Sequence, residues 1–143
     1  MSEYVTSAYG EALFRLMKKK NIEKITVDEL CETGGIGRAT YFRNFKSKED
    51  IVATLIDTVI ERFESNMEKN DGTFYCYSNV LLSFELFYEY REYVIDIFRF
   101  GYVQLLVLRL TEFHEKVDGD IPASSVDRYR IYAYIGALTN TAT

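Results

Sequence analysis

The segment from Thr26 to Asp50 holds two helix starts and a glycine stop so close together that only short helices fit between them. Thr26-Val-Asp-Glu29 has the form of a capping box, in which the threonine hydroxyl accepts from the third amide of the helix and the glutamate reaches back to the cap. The helix it opens runs through Leu30 to about Thr33 and is broken at Gly34-Gly35. Ile36 then returns to the core. Gly37 can serve as the next N-cap, and Arg38 to Phe45 fits about two helical turns. Within those turns Tyr41 and Phe45 share one face, while Arg38, Ala39, Phe42 and Arg43 lie on another. Two short helices about a glycine turn, the second offering basic residues outward, predict a helix-turn-helix.

Helical spacing extends on both sides. Val5, Tyr9, Ala12, Leu13, Leu16 and Met17 mark an amphipathic first helix from about Glu3 to Lys19, with Lys18-Lys19-Lys20 as its solvated end. Ser47-Lys-Glu-Asp50 starts a long fourth helix whose inner face is Ile51, Leu55, Val59, Phe63 and Met67, closed at Asn70-Asp71-Gly72. Further helices are predicted from Thr73 to Tyr88, Arg91 to Arg99 and Tyr102 to Val117. A loop at Asp118 to Pro122 leads to a last helix capped at Ser124. With one proline and eight glycines the chain lacks the punctuation of a many-stranded protein, so the fold class predicted is all-α. The predicted domains are a three-helix head, residues 1–50, and a helical body, residues 51–143, with the fourth helix as the joint.

Charge divides the same way. Residues 1–50 hold 9 basic against 8 acidic side chains, net +1, and residues 51–143 hold 8 against 14, net -6. From Thr33 to Lys48 there are four cations, Arg38, Arg43, Lys46 and Lys48, and no carboxylate. A cationic face on an acidic chain points first to the phosphates of DNA.

Other chemistry has little support. Cys31 and Cys76 lie far apart with no C-x-x-C or histidine-rich setting, so no zinc or redox site is expected, and both read as small residues on apolar helix faces. His114, the single histidine, stands between Glu112 and Glu115 and reads as a solvated helix residue. No nucleophile has a recognisable base beside it, Asp118 and Asp120 lack the remaining ligands of a calcium loop, and there is no phosphate-binding glycine loop. Neither enzyme activity nor a cofactor is expected. The N-terminus has no basic segment followed by an apolar one, and the longest apolar run, Tyr102 to Leu108, is too short to span a bilayer, so a cytoplasmic protein is expected.

The matched positions Thr26, Val27, Leu30, Cys31, Gly34, Gly35, Ile36, Gly37, Thr40, Tyr41, Phe42, Asn44, Phe45, Lys46, Ser47 and Lys48 resemble the DNA-binding head of the TetR/AcrR family of transcriptional regulators. The resemblance covers about Val5 to Phe63. It implies that Thr26, Phe42 and Lys48 lie near the phosphate backbone, and that Arg38, Ala39, Thr40, Arg43 and Asn44 face the major groove. Chemistry agrees in part: an arginine can donate bidentately to guanine, and asparagine can pair with adenine. The chain departs from the family's pattern at Phe42, which stands where a tyrosine is usual, at Gly34 and Gly37, which replace alanine and serine, and at Tyr41, which replaces a smaller apolar residue.

The resemblance further implies an effector-binding and dimerisation body, and with it a repressor that leaves double-stranded operator DNA when a small molecule binds. Between Phe74 and Tyr134 the body carries 15 of the 22 Phe and Tyr residues. Tyr88, Tyr93, Phe98, Tyr102 and Leu106 are therefore the expected lining of a pocket for a small apolar or aromatic effector, although aromatics at helical spacing also serve as plain core. In the last helix Val126, Tyr129, Tyr132, Ala133, Gly136 and Ala137 form a face expected to pack on another helix. The family completes that surface with a further C-terminal helix at a homodimer interface, so this chain is expected to be a shortened form. The alternative is a regulator fold turned into a protein-interaction module with weak or no direct DNA recognition.

Overall fold

The computed structural model describes residues 3–67, 76–118 and 126–141. Among them the elements are α1 (Glu3–Met17), a 3-10 turn (Ile22–Lys24), α2 (Val27–Gly34), α3 (Arg38–Asn44), α4 (Glu49–Asn66), α5 (Tyr77–Glu89), α6 (Arg91–Arg99), α7 (Val103–Asp118) and α8 (Val126–Thr141), with no strand. The fold is all-α, as expected. The chain forms two compact units, Met1–Thr58 and Val59–Thr143, dividing inside α4, whereas the boundary expected from charge and capping lay at 50/51, at the beginning of that helix. The expected stop at Asn70-Asp71-Gly72, the helix start at Thr73 and the cap at Ser124 lie outside the described residues.

In the first unit the capping box forms: Glu29 N donates to Thr26 Oγ1 at 3.2 Å and Thr26 N to Glu29 Oε2 at 2.9 Å. α2 ends on Gly35, whose φ of 64° is the left-handed conformation that costs a residue with a Cβ about 1 kcal/mol or more. Ile36 N then closes onto Cys31 O at 3.1 Å, turning the chain toward α3. The core buries Tyr9, Leu13 and Phe14 of α1, Leu30 and Cys31 of α2, Tyr41 of α3 with the following Phe45, and Ile51, Val52, Leu55 and Ile56 of α4. α1 approaches α4 so closely at Gly10 that any side chain there would collide with Leu55.

The second unit has Phe63, Leu86 and Phe113 at its centre, with Ile60, Leu82, Tyr90, Val117 and Tyr134 packed around them. Phe63 and Phe113 meet edge to face with centroids 5.7 Å apart, the preferred aromatic geometry. Arg62 ties α4 to the end of α5, donating to Glu89 Oε1 and to the Tyr90 hydroxyl, both at 2.7 Å.

One expectation for this unit is corrected. His114 is not solvated but only 2% exposed, because it shares the inner face of α7 with Leu106, Leu110 and Phe113, while Glu115, one residue on, and Glu112, two residues back, lie about 100° and 160° around the helix from it. Burial lowers its pKa to about 4, so the ring is neutral at pH 7. In α8 the buried face is Ile131, Ile135 and Leu138; Val126, Tyr129, Tyr132, Ala133 and Ala137 stand exposed and Gly136 is half-buried. Apolar residues surround this helix on nearly every side, so spacing alone marks two faces of similar character, and the neighbours α5 and α7 take the aliphatic one.

Candidate functional site

α3 is a seven-residue helix held from behind. Tyr9 of α1 donates its hydroxyl to the carbonyl of Gly37, the N-cap of α3, at 3.1 Å. Burial, then the contact with Cys31, pushes the Tyr9 pKa well up, so the hydroxyl keeps its proton and remains a donor. The rings of Tyr41 and Phe45 close on Tyr9 at centroid distances of 6.0 and 5.3 Å, both edge to face. Tyr41 and Phe45 thus anchor the inner face. Ala39, Phe42 and Arg43 are exposed on the outer one.

The outer face is mixed rather than uniformly basic. Arg43 and Lys46 are exposed. Arg38 Nη1 lies 2.6 Å from Asp28 Oδ1 of α2, with both side chains more than half exposed, and its guanidinium stands 5.8 Å over the Phe42 ring. An exposed pair of this kind contributes little stability, but it fixes where the arginine points. Phe42 is 61% exposed and touches Tyr41 edge to face at 5.2 Å. Thr40 is half-buried, and its carbonyl accepts from Asn44 Nδ2 at 2.7 Å, so the Asn44 amide is partly committed to its own helix.

The two residues expected beside the phosphates both have structural tasks. The Thr26 hydroxyl is occupied by the capping box, donating to Glu29 Oε2 at 3.1 Å while accepting from Glu29 N. Glu29 is held ionised by Lys20 first and by Thr26 second, which lowers its pKa to about 2. Lys48 is half-buried and directs its ammonium at two backbone carbonyls, Ile22 O at 2.6 Å and Ile25 O at 2.8 Å. It braces the start of α4 against the turn that precedes α2, leaving one of its three N–H donors for any other partner.

Asp28 and Tyr9 are the members of this site that the sequence did not assign. The capping box contained Asp28, but only the turn at Gly35 brings it to Arg38. Tyr9 lay in the apolar repeat of α1, yet nothing in that repeat tells where its hydroxyl points.

In the second unit a cavity of about 40 Å³ is lined by Val59, Phe63, Leu86, Leu110 and Phe113, with Ser83, His114 and Tyr134 as its polar members. Ser83 and Tyr134 share a short hydrogen bond, and the His114 ring meets Tyr134 edge to face at 5.5 Å. None of the five expected pocket residues lines it. Tyr88 is 71% exposed with Arg91 stacked 4.7 Å over its ring; Tyr93, Phe98 and Tyr102 are half-buried, and Leu106 is buried. Aromatic density along α5 and α6 counts rings without telling which of them turn inward. No group of three or more His, Cys, Asp or Glu side chains among the described residues is placed to hold a metal, and no helix is long and apolar enough to cross a membrane.

Residues 11–55 match the family described as bacterial regulatory proteins, tetR family. The chain is 39% identical over 54 residues to the HTH-type transcriptional regulator EthR of Mycolicibacterium smegmatis, and 32% identical over 65 residues to the uncharacterized HTH-type transcriptional regulator YvkB of Bacillus subtilis. Those matches cover 38% and 46% of this chain but only 25% and 34% of the two relatives, so the likeness concerns the head. The fold as a whole is similar to the crystal structure of Lin0861 from Listeria innocua, with a TM-score of 0.73 over 98% of this chain and 79% of that one at 13% identity. Capping box, glycine turn, braced α3 and these matches agree on the head: residues 11–55 form a helix-turn-helix that matches the tetR family of bacterial regulatory proteins.

Proposed function

We propose that the chain is a ligand-responsive transcriptional repressor that binds operator DNA through α3, acting in the cytoplasm as a homodimer. The observation that carries the DNA reading is the outward face of α3, where Arg43 is exposed beside Arg38, with Lys46 exposed just past the helix end and no carboxylate from Thr33 to Lys48. Arg38, Ala39, Thr40, Arg43 and Asn44 are the residues proposed for the groove; Thr26, Phe42 and Lys48 flank it. Two relatives named as HTH-type transcriptional regulators support the same reading. For the homodimer the supporting feature is the exposed strip Val126, Tyr129 and Tyr132 on α8. For a small apolar or aromatic effector the supporting feature is the apolar lining of the second unit's cavity, with Ser83, His114 and Tyr134 as its polar members, a cavity that has to widen to admit one.

The test is binding to the DNA upstream of the chain's own gene, by fluorescence anisotropy at several salt concentrations. Specific binding is expected to weaken steeply with salt. Arg43→Ala is expected to lose about 1 to 3 kcal/mol of operator affinity and to relax base preference. Equal, salt-insensitive binding of all duplexes overturns the reading. The second reading, a protein-interaction module with weak DNA recognition, is favoured by two observations: Arg38 is already paired with Asp28, and Phe42 offers no hydrogen bond to a phosphate.

A further inference from the structure

We infer that the open face of α5 is a docking site for an amphipathic helix of a partner protein, one that sets an apolar stripe against α5 and basic side chains beside Glu85 and Glu89. The site lies wholly in the second unit and is independent of what α3 binds. Tyr77, Leu81, Phe84 and Tyr88 are 81%, 42%, 37% and 71% exposed. Spacings of four, three and four bring them onto one side of the helix, over about 16 Å of its length. None of the four belongs to the central cluster of this unit or to the lining of its cavity.

Size narrows the choice of occupant. With ~200 Å² for a ring side chain, the three rings leave roughly 400 Å² in water, an extent that marks an interaction site but is only about half of what each partner buries in a standard interface. A lone helix, which engages through anchors three and four residues apart, fits such a stripe. Charge then narrows its composition. Glu85 lies about 40° round the helix from Leu81, and Glu89 about 40° further on. Glu85 is exposed, and Glu89, paired with Arg62, keeps half of its side chain in water. Arg91 lies back over the Tyr88 ring at 4.7 Å and closes the far end of the stripe. A second copy of the body brings a like charge, since residues 51–143 are net -6, and anionic lipid is repelled for the same reason, so the fitting partner is basic.

The test uses the full 143-residue chain and two fluorescein-labelled synthetic helices with one apolar stripe at i, i+4, i+7 and i+11, the first carrying lysines along a flank and the second glutamates. By fluorescence anisotropy the lysine peptide is expected to bind about tenfold more tightly than the glutamate peptide. Leu81→Ser combined with Phe84→Ser is expected to abolish binding of both. Glu85→Lys keeps the stripe and is expected to bring the two peptides to within about threefold of each other. Thermal melting of each variant establishes that it is folded. If the wild type binds neither peptide or both equally, or if the double serine variant binds the lysine peptide as the wild type does, the inference is overturned. Two other occupants are separated by further readings: a dimer that the double variant turns to monomer in sedimentation velocity gives the stripe to a second copy. Co-sedimentation of the wild type but not the double variant with vesicles of phosphatidylcholine and phosphatidylglycerol gives it to lipid. Either result overturns the inference.

Discussion

In the first unit Tyr9, Tyr41 and Phe45 are buried and meet one another at centroid distances of 5.3 to 6.0 Å. In the second, Tyr77, Tyr88, Tyr129 and Tyr132 stand exposed, and α5 carries Tyr77, Leu81, Phe84 and Tyr88 along one open face at spacings of four and three. Both regions are helical and rich in aromatics, so composition alone does not separate them. The difference is which way the rings face: these three of the head turn inward, the Tyr9 hydroxyl reaching the Gly37 carbonyl while Lys48 holds two carbonyls of the turn before α2, whereas hydroxyl ties in the body reach Tyr90 and Tyr134 and leave these four tyrosines outside. The body's central residues are aliphatic, phenylalanine and one neutral histidine, with many of its tyrosines outside. Aromatic count therefore indicates a site only where a second constraint tells which way the ring faces.

The largest effect expected from this contrast is at Phe45, which is 3% exposed against Tyr9 and Tyr41. Phe45→Ala should cost about 3 to 5 kcal/mol of stability, read by chemical denaturation. A loss below 1 kcal/mol would mean that the head is not held by its rings. The body's counterpart is acid sensitivity through His114. Burial lowers its folded pKa to about 4, below the unfolded value near 6.5. The stability associated with the neutral ring is therefore whole above pH 6.5 and is lost as pH falls toward 4, in total ~3 kcal/mol. Melting at pH 7 and pH 5 should show this loss in the wild type, and His114→Gln should show a smaller difference between the two.

Lys48→Ala sharpens the comparison from the polar side. Removing an ammonium that holds two carbonyls should destabilise the head by about 1.5 to 3 kcal/mol, whether or not DNA is present. Unchanged melting with weakened DNA binding would return Lys48 to a phosphate contact. The smallest effect is expected at Tyr88, 71% exposed beneath Arg91. Tyr88→Ala should cost no more than about 1 kcal/mol, the size of a solvent-exposed cation–π contact. A cost equal to that of Phe45→Ala would erase the distinction between the two regions.

Much of the head was legible before any coordinates. Capping, glycine conformation and i,i+4 spacing act within a few residues, so Thr26 with Glu29, the stop at Gly35, the Gly37 cap and the inward pair Tyr41 and Phe45 follow from local chemistry. The body was legible as helices, with α6 placed at Arg91 to Arg99 from the sequence and in the structure alike. Its facing was not. His114 was misplaced because charged neighbours in sequence are not neighbours on a helix surface, and α8 is apolar on two sides, so spacing did not single out the Ile131, Ile135 and Leu138 face that the structure buries.

The residues by themselves determined an all-helical chain, the position of its glycine turn, and a short basic helix that offers Arg38, Ala39, Phe42 and Arg43 on one side. Tertiary structure alone decided that Asp28 would meet Arg38, that Lys48 would turn to the carbonyls of Ile22 and Ile25, and that Ser83, His114 and Tyr134 would gather at one cavity. The reason is one of range. Helix propensity and capping are settled by groups a turn apart, whereas these contacts join residues 10 to 51 positions apart in sequence, and their pairing is fixed only when the apolar faces of separate helices have closed.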